Sequence, residues 1–335
     1  MTENRRLRPF PFTPPPQLVA DIGGTHSRVA LADHGVLRPG SIRRLANAEQ
    51  DGLESLLGAY MQSHAVSEVS GLCVAAAGPV RGDRLDMTNL DWKIDRNRLR
   101  ALAGSEAPVV LINDLQAQGH ALERIAPSRL RLLVSAATSE ADANTASAAR
   151  LVVGIGTGFN AVAVHRARGT LLVPASECGH AHLPAQARDE RAFARALASE
   201  NGLATVEEAL SGRGLEAIHR WRTGTDGKAA EISAALDAGD AEARATAALY
   251  ARLMGRALAD LALTHLPFGG IYLIGGVARA MAPHLPGLGL AQAFCEMGRQ
   301  AALMEQFAIH LIDDDYAALT GGAVYLEDIT ASQRG

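Results

Sequence analysis

A short pattern of apolar residues followed by glycines occurs twice in this chain, first at residues 18–25 and again at 151–158. Each copy predicts a strand, a glycine turn and a second strand. The copies align without a gap, and residues 29–31 then align with 162–164. Such repetition predicts a duplicated α/β unit, with two halves facing one another across a cleft. Two ordinary hairpins in one α/β protein would give the same pattern, because the matching residues are mostly small and common.

The composition excludes several classes of protein. The 335 residues are 48% hydrophobic and 20% charged, which is typical of a globular protein rather than a disordered or fibrous one. A net charge of −4 and an aromatic content of 4% argue against a nucleic-acid partner. No apolar run reaches the ~18 residues of a membrane span, so we expect no membrane partner. The three cysteines, Cys73, Cys178 and Cys295, form no C-x-x-C motif, which favours a reducing, cytoplasmic location.

The basic residues exclude one kind of nucleotide site. Lys93 and Lys228 are the only lysines among the 32 basic residues, and the others are arginine. Neither lysine lies in the Gly-Lys-Ser/Thr frame of a Walker A loop. If the protein binds a nucleotide, it must therefore hold the phosphates by another chemistry.

Apolar runs and helical spacing predict the secondary structure. The predicted strands are 18–22, 28–32, 41–45, 71–77, 109–112, 151–155, 161–165, 170–174, 271–274 and 308–312. The predicted helices are 52–61, 115–124, 189–200, 205–220 with a break at 211–214, 240–266 and 318–327. We expect a loose tail at 1–16 and a loop at 136–149.

The first glycine turn is a candidate phosphate site. Gly23 and Gly24 let backbone N–H groups approach an anion, and Thr25 adds a hydroxyl donor. Asp21 could hold a Mg²⁺ ion through water, since Mg²⁺ takes few carboxylates. A tight turn with an aspartate cap would look the same.

The second turn offers the same donors, and two opposed donor loops predict a polyphosphate site better than either alone. Its residues are Gly156, Thr157 and Gly158.

Three other groups of residues are candidates for binding or chemistry. Asn113 and Asp114 follow a buried strand, where α/β proteins place reactive groups, although an Asx turn or helix cap is an alternative. Glu177, His180 and Glu207 suit sugar hydroxyls, although Glu207 would also suit a solvated helix face, and no metal-ligand frame surrounds the histidines. Gly275 and Gly276 follow a strand. Their missing side chains would let a flat ring or ribose approach, although such a pair would also serve simply as the turn from a strand to a helix.

Together these motifs resemble a known superfamily. Residues 21–25, 154–158 and 273–277 resemble the two phosphate motifs and the adenosine motif of the sugar kinase, heat-shock chaperone and actin superfamily. A more specific resemblance, from about residue 17 to 327, is to the bacterial glucokinase family of the proteobacterial type. It is carried by residues 77–80, 87–92, 112–114, 177–180 and 210–215.

The resemblance implies an α/β fold of two ribonuclease-H-like, actin-like ATPase domains flanking a cleft. It implies ATP-dependent phosphorylation of the 6-hydroxyl of D-glucose to give glucose 6-phosphate for glycolysis, with Mg²⁺ and usually a homodimer. The family's sugar-binding positions match Asn113, Asp114, Glu177, His180 and Glu207, and its catalytic base matches Asp114.

The same resemblance implies the domain limits. In that family the C-terminal helix folds back onto the first domain, so we expect a small domain of residues 17–113 plus 316–335. The large domain is then 114–315, after a flexible tail of 1–16.

Two departures and two alternatives accompany the resemblance. Phe159 and Asn160 replace a small aliphatic residue and a glycine, and Cys178 replaces a glycine. The cysteine-rich zinc cluster of repressor-type sugar kinases is missing. A kinase of this fold acting on another hexose or an amino sugar remains an alternative. A sugar sensor without turnover is another, but residues 1–16 are too short for a helix-turn-helix.

Overall fold

A computed structural model describes residues 14–78, 80–87, 90–104, 106–137, 147–167 and 169–334. Most of the predicted tail, the centre of the predicted 136–149 loop, and Pro79, Thr88 and Asn89 of the resembling motifs lie outside these residues. The chain divides into two compact units. The first comprises Met1–Ala117 with Ala318–Gly335, and the second is Gln118–Ala317. The sequence-based domain limits lie at 113/114 and 315/316.

The strands and helices are numbered along the chain. The strands are β1 (Gln17–Ile22), β2 (His26–Asp33), β3 (Val36–Leu37), β4 (Arg43–Ala46), β5 (Gly71–Ala76), β6 (Val80–Arg81), β7 (Arg84–Asp86), β8 (Lys93–Asp95), β9 (Val109–Asn113), β10 (Leu130–Val134), β11 (Arg150–Ile155), β12 (Phe159–Ala167), β13 (Thr170–Leu172), β14 (Ile271–Ile274) and β15 (Ile309–Ile312). The helices are α1 (Leu53–Ser63), α2 (Arg96–Ala103), α3 (Asp114–Ala121), α4 (Arg188–Asn201), α5 (Val206–Leu210), α6 (Gly212–Thr223), α7 (Ala229–Asp237), α8 (Ala241–His265), α9 (Gly276–Met281), α10 (Leu290–Cys295), α11 (Ala301–Met304) and α12 (Ala317–Arg334).

The first unit is built on a mixed sheet in the order β3-β2-β1-β5-β9, with β4 also paired to β2. β1, β5 and β9 are parallel, and β2 is antiparallel to β1. Alternate residues of β1 face opposite cores: Leu18 packs in the cluster that contains α1, and Val19 in the one that contains Leu319 of α12. α12 packs closely, because a Cβ added at Gly322 would lie 3.2 Å from the sulfur of Cys73. A small antiparallel sheet, β6-β7-β8, completes this unit.

The second unit repeats this arrangement in a sheet of order β10-β15-β14-β11-β12-β13. β11, β14 and β15 are parallel, and β12 is antiparallel to β11. α8 is the central helix of its core, with Tyr250, Leu253 and Met254 fully buried. The end of α3 packs against the sheet, where a Cβ at Gly119 would lie 3.1 Å from Cγ2 of Val164 on β12. The shared strand order supports the predicted duplication.

The two hairpins differ by one residue, so the gapless alignment of the repeats is wrong beyond the turn. In the first unit Leu18 pairs with Leu31 across the hairpin. In the second unit Leu151, which aligns with Leu18, pairs with Ala163. The second turn is therefore one residue shorter, and residues 162–164 correspond to 30–32 rather than 29–31. A turn can lose a residue without breaking the sheet, because the ladder on either side keeps its register.

Most predicted strands and helices are present, with ends that differ by a few residues. The expected break at 211–214 is narrower, because α6 begins at Gly212 and only Ser211 separates it from α5. The Ser211 side chain caps α6 by accepting from the N–H of Gly214. Gly214 allows this tight join, since a Cβ there would lie 2.2 Å from the carbonyl carbon of Ala209. Among the described residues, no helix has both the length and the apolar character needed to span a bilayer.

Candidate active site

The first glycine turn joins β1 to β2 and is held by a residue that sequence analysis did not identify. Asn47 lies just after β4 and is only 3% exposed. Its Nδ2 donates to the carbonyl of Gly23 at 2.8 Å, and its Oδ1 accepts from the Ser27 hydroxyl at 2.7 Å. Its backbone N–H donates to the carbonyl of Thr25 at 2.9 Å. Asn47 therefore fixes both sides of the turn that carries Gly23, Gly24 and Thr25.

Asp21 lies on β1 immediately before this turn, opposite Arg28 on β2. The Arg28 guanidinium contacts Oδ2 of Asp21 at 3.1 Å, and the Asp21 side chain is 13% exposed. Burial raises the pKa of Asp21, and the charge and hydrogen bond of Arg28 oppose that rise. The site thus has one nearly buried carboxylate with one compensating cation.

Asn113 and Asp114 lie at the same edge of the first sheet as the turn. Ile22, Ala76 and Asn113 are in register across the parallel strands β1, β5 and β9. Asp114 is the first residue of α3 and is half-buried. The N–H of Leu115 donates to Oδ1 of both Asn113 and Asp114 at 2.9 Å. The two side chains therefore cap α3, and the same bonds hold them at the carboxyl edge of the sheet, where reactive groups are placed in α/β proteins.

The second turn, 156–158, joins β11 to β12 and is bonded to the start of α6. Gly156 donates to the carbonyl of Gly158 at 2.9 Å and accepts from the N–H of Gly212 at 2.9 Å. The strand β14 lies beside β11, with Ile274 in register with Gly154. Gly275 follows, with φ of +112° and its missing Cβ only 2.3 Å from the carbonyl oxygen of Ile155. Only glycine fits there, and the turn and the Gly275–Gly276 pair occupy one edge of the second sheet.

Glu207 on α5 lies against the second turn. Its Oε2 accepts from the backbone N–H of Phe159 at 3.0 Å, and its Oε1 is 3.5 Å from the Arg213 guanidinium. A Cβ at Gly158 would lie 2.5 Å from Oε2. Its side chain is 23% exposed, so the alternative of a fully solvated helix face does not apply.

The segment that carries Glu177 and His180 meets the same place. Cys178–His180 forms a turn of 3₁₀-helix, and the side chains of Glu177 and His180 are exposed. A Cβ at Gly179 would lie 1.9 Å from the carbonyl oxygen of Phe159 and 3.4 Å from Cβ of Glu207. Phe159 thus contacts both candidate sugar-binding elements through its backbone, at the end of the phosphate turn.

The structure therefore places the candidate residues in two sets, one in each unit. Asp21, Gly23, Gly24, Thr25, Asn113 and Asp114 share one edge of the first sheet. Gly156, Thr157, Gly158, Glu177, His180, Glu207, Gly275 and Gly276 belong to the second unit. Within the described part of the chain, no three His, Cys, Asp or Glu side chains form a metal-binding group.

Comparison with known proteins gives the family. The family model described as Glucokinase matches residues 18–329. A glucokinase of Caulobacter vibrioides is 32% identical over 320 residues, covering 92% of this chain and 94% of the relative. A glucokinase of Marinobacter nauticus is 30% identical over 313 residues, covering 91% and 95%.

Solved structures agree on the fold. A glucokinase from an Antarctic psychrotroph superposes with a TM-score of 0.80 at 25% identity, covering 93% of this chain and 99% of that one. A glucokinase from Balamuthia mandrillaris, solved with glucose, gives a TM-score of 0.74 at 20% identity, with 93% of each chain covered. These findings confirm the resemblance and the fold class predicted from the sequence. The chain belongs to the glucokinase family and has the actin-like ATPase fold of sugar kinases.

Proposed function

We propose that the protein transfers the γ-phosphoryl group of ATP to the 6-hydroxyl of D-glucose, with Asp114 as the general base. Family membership supports the reaction, and one structural observation carries the assignment of the site. That observation is the contact of Glu207 with the end of the second glycine turn, 3.0 Å from the N–H of Phe159. It brings a candidate sugar ligand to a candidate phosphate loop, as phosphoryl transfer to a sugar requires.

The glycine turns supply the donors for the ATP phosphates. The backbone N–H groups of Gly24 and Gly158 and the hydroxyls of Thr25 and Thr157 are the proposed ligands. Gly23 and Gly156 are proposed to shape the turns, because their own N–H groups donate to the carbonyls of His26 and Gly158. Neither lysine of the chain is among them, so backbone dipoles replace the side-chain ammonium of a Walker loop. The bare backbone at Gly275 and Gly276 is proposed to leave room for the ribose and base.

The residues near the first turn fit a magnesium ion that would be held mainly by the phosphates of the nucleotide. Mg²⁺ keeps several waters and needs only one or two carboxylates besides substrate phosphates. Asp21 is one such carboxylate, beside the turn, with Arg28 on its Oδ2. When bound, the ion supplies charge neutralisation on the phosphates. Asp21 would hold it through water.

The chemistry at the acceptor is a proton transfer and a displacement. Asp114 takes the proton of the 6-hydroxyl while the hydroxyl oxygen of the sugar forms a bond to the γ-phosphorus. The bond from that phosphorus to the β,γ-bridging oxygen breaks. The products are glucose 6-phosphate, ADP and the proton. A positioned base typically contributes about 10²–10⁴-fold, and the rest comes from positioning and charge.

The sugar is proposed to be held by five residues. They are Asn113, Asp114, Glu177, His180 and Glu207. Carboxylates accept hydrogen bonds from sugar hydroxyls, and those bonds are stronger than neutral ones.

Further proposals, resting on the resemblance and the cysteine pattern, are a homodimer and a cytoplasmic location. Light scattering of the purified protein would test the first.

The reaction is tested by coupled ADP release with glucose and ATP, with and without Mg²⁺. Turnover that needs both glucose and Mg²⁺, with glucose 6-phosphate as product, is expected. A panel of mannose, fructose and glucosamine in the same assay separates glucose from the other acceptors. ADP release that is independent of any sugar would contradict the proposal.

A further inference from the structure

The two departures from the family's pattern in the second unit contact each other. Asn160 is the second residue of β12, and its Oδ1 accepts from the backbone N–H of Cys178 at 3.2 Å and lies 3.5 Å from the Cys178 sulfur. Its Nδ2 donates to the carbonyl of Ser176. A single side chain therefore holds the backbone on both sides of Glu177.

The equivalent position in the first unit shows what this place in the fold can do. Asn160 pairs with Gly154 across its hairpin, as Arg28 pairs with Asp21 across the first one. Arg28 uses the position to hold the carboxylate beside its turn. Gly154 has no side chain to hold. Oδ1 of Asn160 accepts from the adjacent N–H of Ala161 at 2.9 Å, and the other bonds of Asn160 go to residues 176–178.

The effect of these bonds falls on Glu177. Its side chain is exposed, so its direction depends on the backbone that carries it. Cys178 keeps the contact at neutral pH, because burial raises the pKa of its thiol and leaves the sulfur able to donate. Gly179 holds the next residue of the segment against Phe159, since a Cβ there would lie 1.9 Å from the Phe159 carbonyl oxygen.

We propose that Asn160 is a positioning residue for sugar binding, which aims Glu177 through the backbone of residues 176–178, with Cys178 as its partner. The proposal rests on the proposed function, because it takes Glu177 as a sugar ligand. It predicts that glucose and ATP respond differently to loss of the Asn160 side chain. A residue that only stabilised β12 would affect both substrates together.

The test compares Asn160→Ala, Cys178→Ala and the double variant with Asn201→Ala, a matched change at the exposed end of α4. For Asn160→Ala we expect the glucose KM to rise about ten-fold, with kcat and the ATP KM within about two-fold of wild type. Cys178→Ala should raise the glucose KM less. In the double variant the effect on the glucose KM, expressed as a free energy, should be smaller than the sum of the two single effects, because both changes remove one shared contact. Asn201→Ala should leave every constant unchanged.

Binding of glucose alone, measured by calorimetry, separates this inference from the proposed function. If the wild type binds glucose but does not phosphorylate it, the proposed function fails, and a weaker Kd in Asn160→Ala still supports the inference. An unchanged glucose KM and Kd in Asn160→Ala overturns the inference. So does a parallel change in both substrates' KM values and in kcat. If Asn160→Ala does not fold, judged by its melting curve, Asn160→Ser carries the same test. Failure of the wild type to bind glucose overturns both proposals.

Discussion

The carboxylate of Glu207 accepts a hydrogen bond from the backbone N–H of Phe159, 3.0 Å away. Phe159 is the first residue after the second glycine turn, and Glu207 is the first acidic residue of α5. A movement of the turn would therefore move a proposed sugar ligand. The contact also gives Glu207 two roles, as a backbone acceptor and as a ligand, which a substitution can separate.

Replacing Glu207 by Gln tests the ligand role. The amide oxygen can still accept from Phe159, so we expect the melting temperature to change little. The negative charge is lost, and hydrogen bonds to charged groups contribute about 1.5–3 kcal/mol, so the glucose KM should rise about ten- to a hundred-fold. Steady-state kinetics in glucose measure this. Glu208→Gln, one residue along α5, is the matched control, and an equal effect of both changes would remove Glu207 from the sugar site.

The glycines of the second turn give a matched pair of alanine substitutions. A Cβ at Gly158 would lie 2.5 Å from Oε2 of Glu207, whereas a Cβ at Gly156 meets no described atom within 4 Å. We expect Gly158→Ala to displace Glu207 and raise the glucose KM. Gly156→Ala should leave the glucose KM unchanged and raise the ATP KM, because its Cβ would stand between the backbone N–H groups and a phosphate. Identical kinetic effects of the two variants would contradict this arrangement.

Loss of the Asn47 side chain should affect the first turn alone. Asn47→Ala removes the bonds to Gly23 and Ser27 and leaves buried polar groups without those partners. Such losses cost about 1–3 kcal/mol of unfolding free energy. We expect that cost in urea unfolding and a higher ATP KM, with the glucose KM unchanged. Asn97→Ala, at the exposed start of α2, is the control, and a stable Asn47→Ala enzyme with a normal ATP KM would show that the turn does not need this residue.

Replacing Asp114 by Asn should remove the base and keep the cap. The amide oxygen can still accept from Leu115, so α3 should retain its first turn. We expect kcat to fall by about 10²–10⁴-fold, with glucose still bound in calorimetry. Asp51→Asn, at an exposed bend, controls for the change of charge. Near-normal turnover by Asp114→Asn would exclude it as the general base.

His120 should make the stability depend on pH below neutrality. It is 3% exposed near the end of α3, and burial lowers its pKa to about 4. Above pH 6.5 the imidazole is neutral in both the folded and unfolded states, so its contribution is complete there. As the pH falls from 6.5 to 4, the unfolded chain takes up the proton first and the free energy of unfolding drops. Each pKa unit corresponds to about 1.4 kcal/mol, which gives a loss of roughly 3 kcal/mol by pH 4.

Urea unfolding at several pH values, with His120→Gln as the comparison, measures this loss. As the pH falls, the free energy of unfolding of the wild type should decrease relative to that of His120→Gln. His34→Gln, at a histidine whose side chain is 73% exposed, should not produce that shift. A constant difference between wild type and His120→Gln from pH 8 to 4 would contradict the expectation.

What the sequence predicted well was local. The two glycine turns and the strand that ends at Asn113 and Asp114 are each short and contiguous, and each is recognisable without knowing which strands pair. Their placement at sheet edges follows from the rule that parallel strands present their carboxyl ends together.

What the sequence did not predict depends on pairing between distant residues. Asn47 lies 24 residues from Gly23 and meets it only because β4 pairs with β2. The one-residue difference between the hairpins was hidden because the turn and strand residues of both copies are small and alike, so two registers match almost equally well. Phe159 and Asn160 counted as departures from a motif, and only the register of β12 shows that they link the turn to residues 176–178 and Glu207.

The unequal hairpins limit which parts of the two units are interchangeable. The ladders of β1–β2 and β11–β12 would tolerate an exchange of strands, but the bends would not, because four residues span Ile22 to Ser27 where three span Ile155 to Phe159. A chimera carrying two copies of either bend would keep both ladders and would change the number of backbone N–H groups that one of the turns presents.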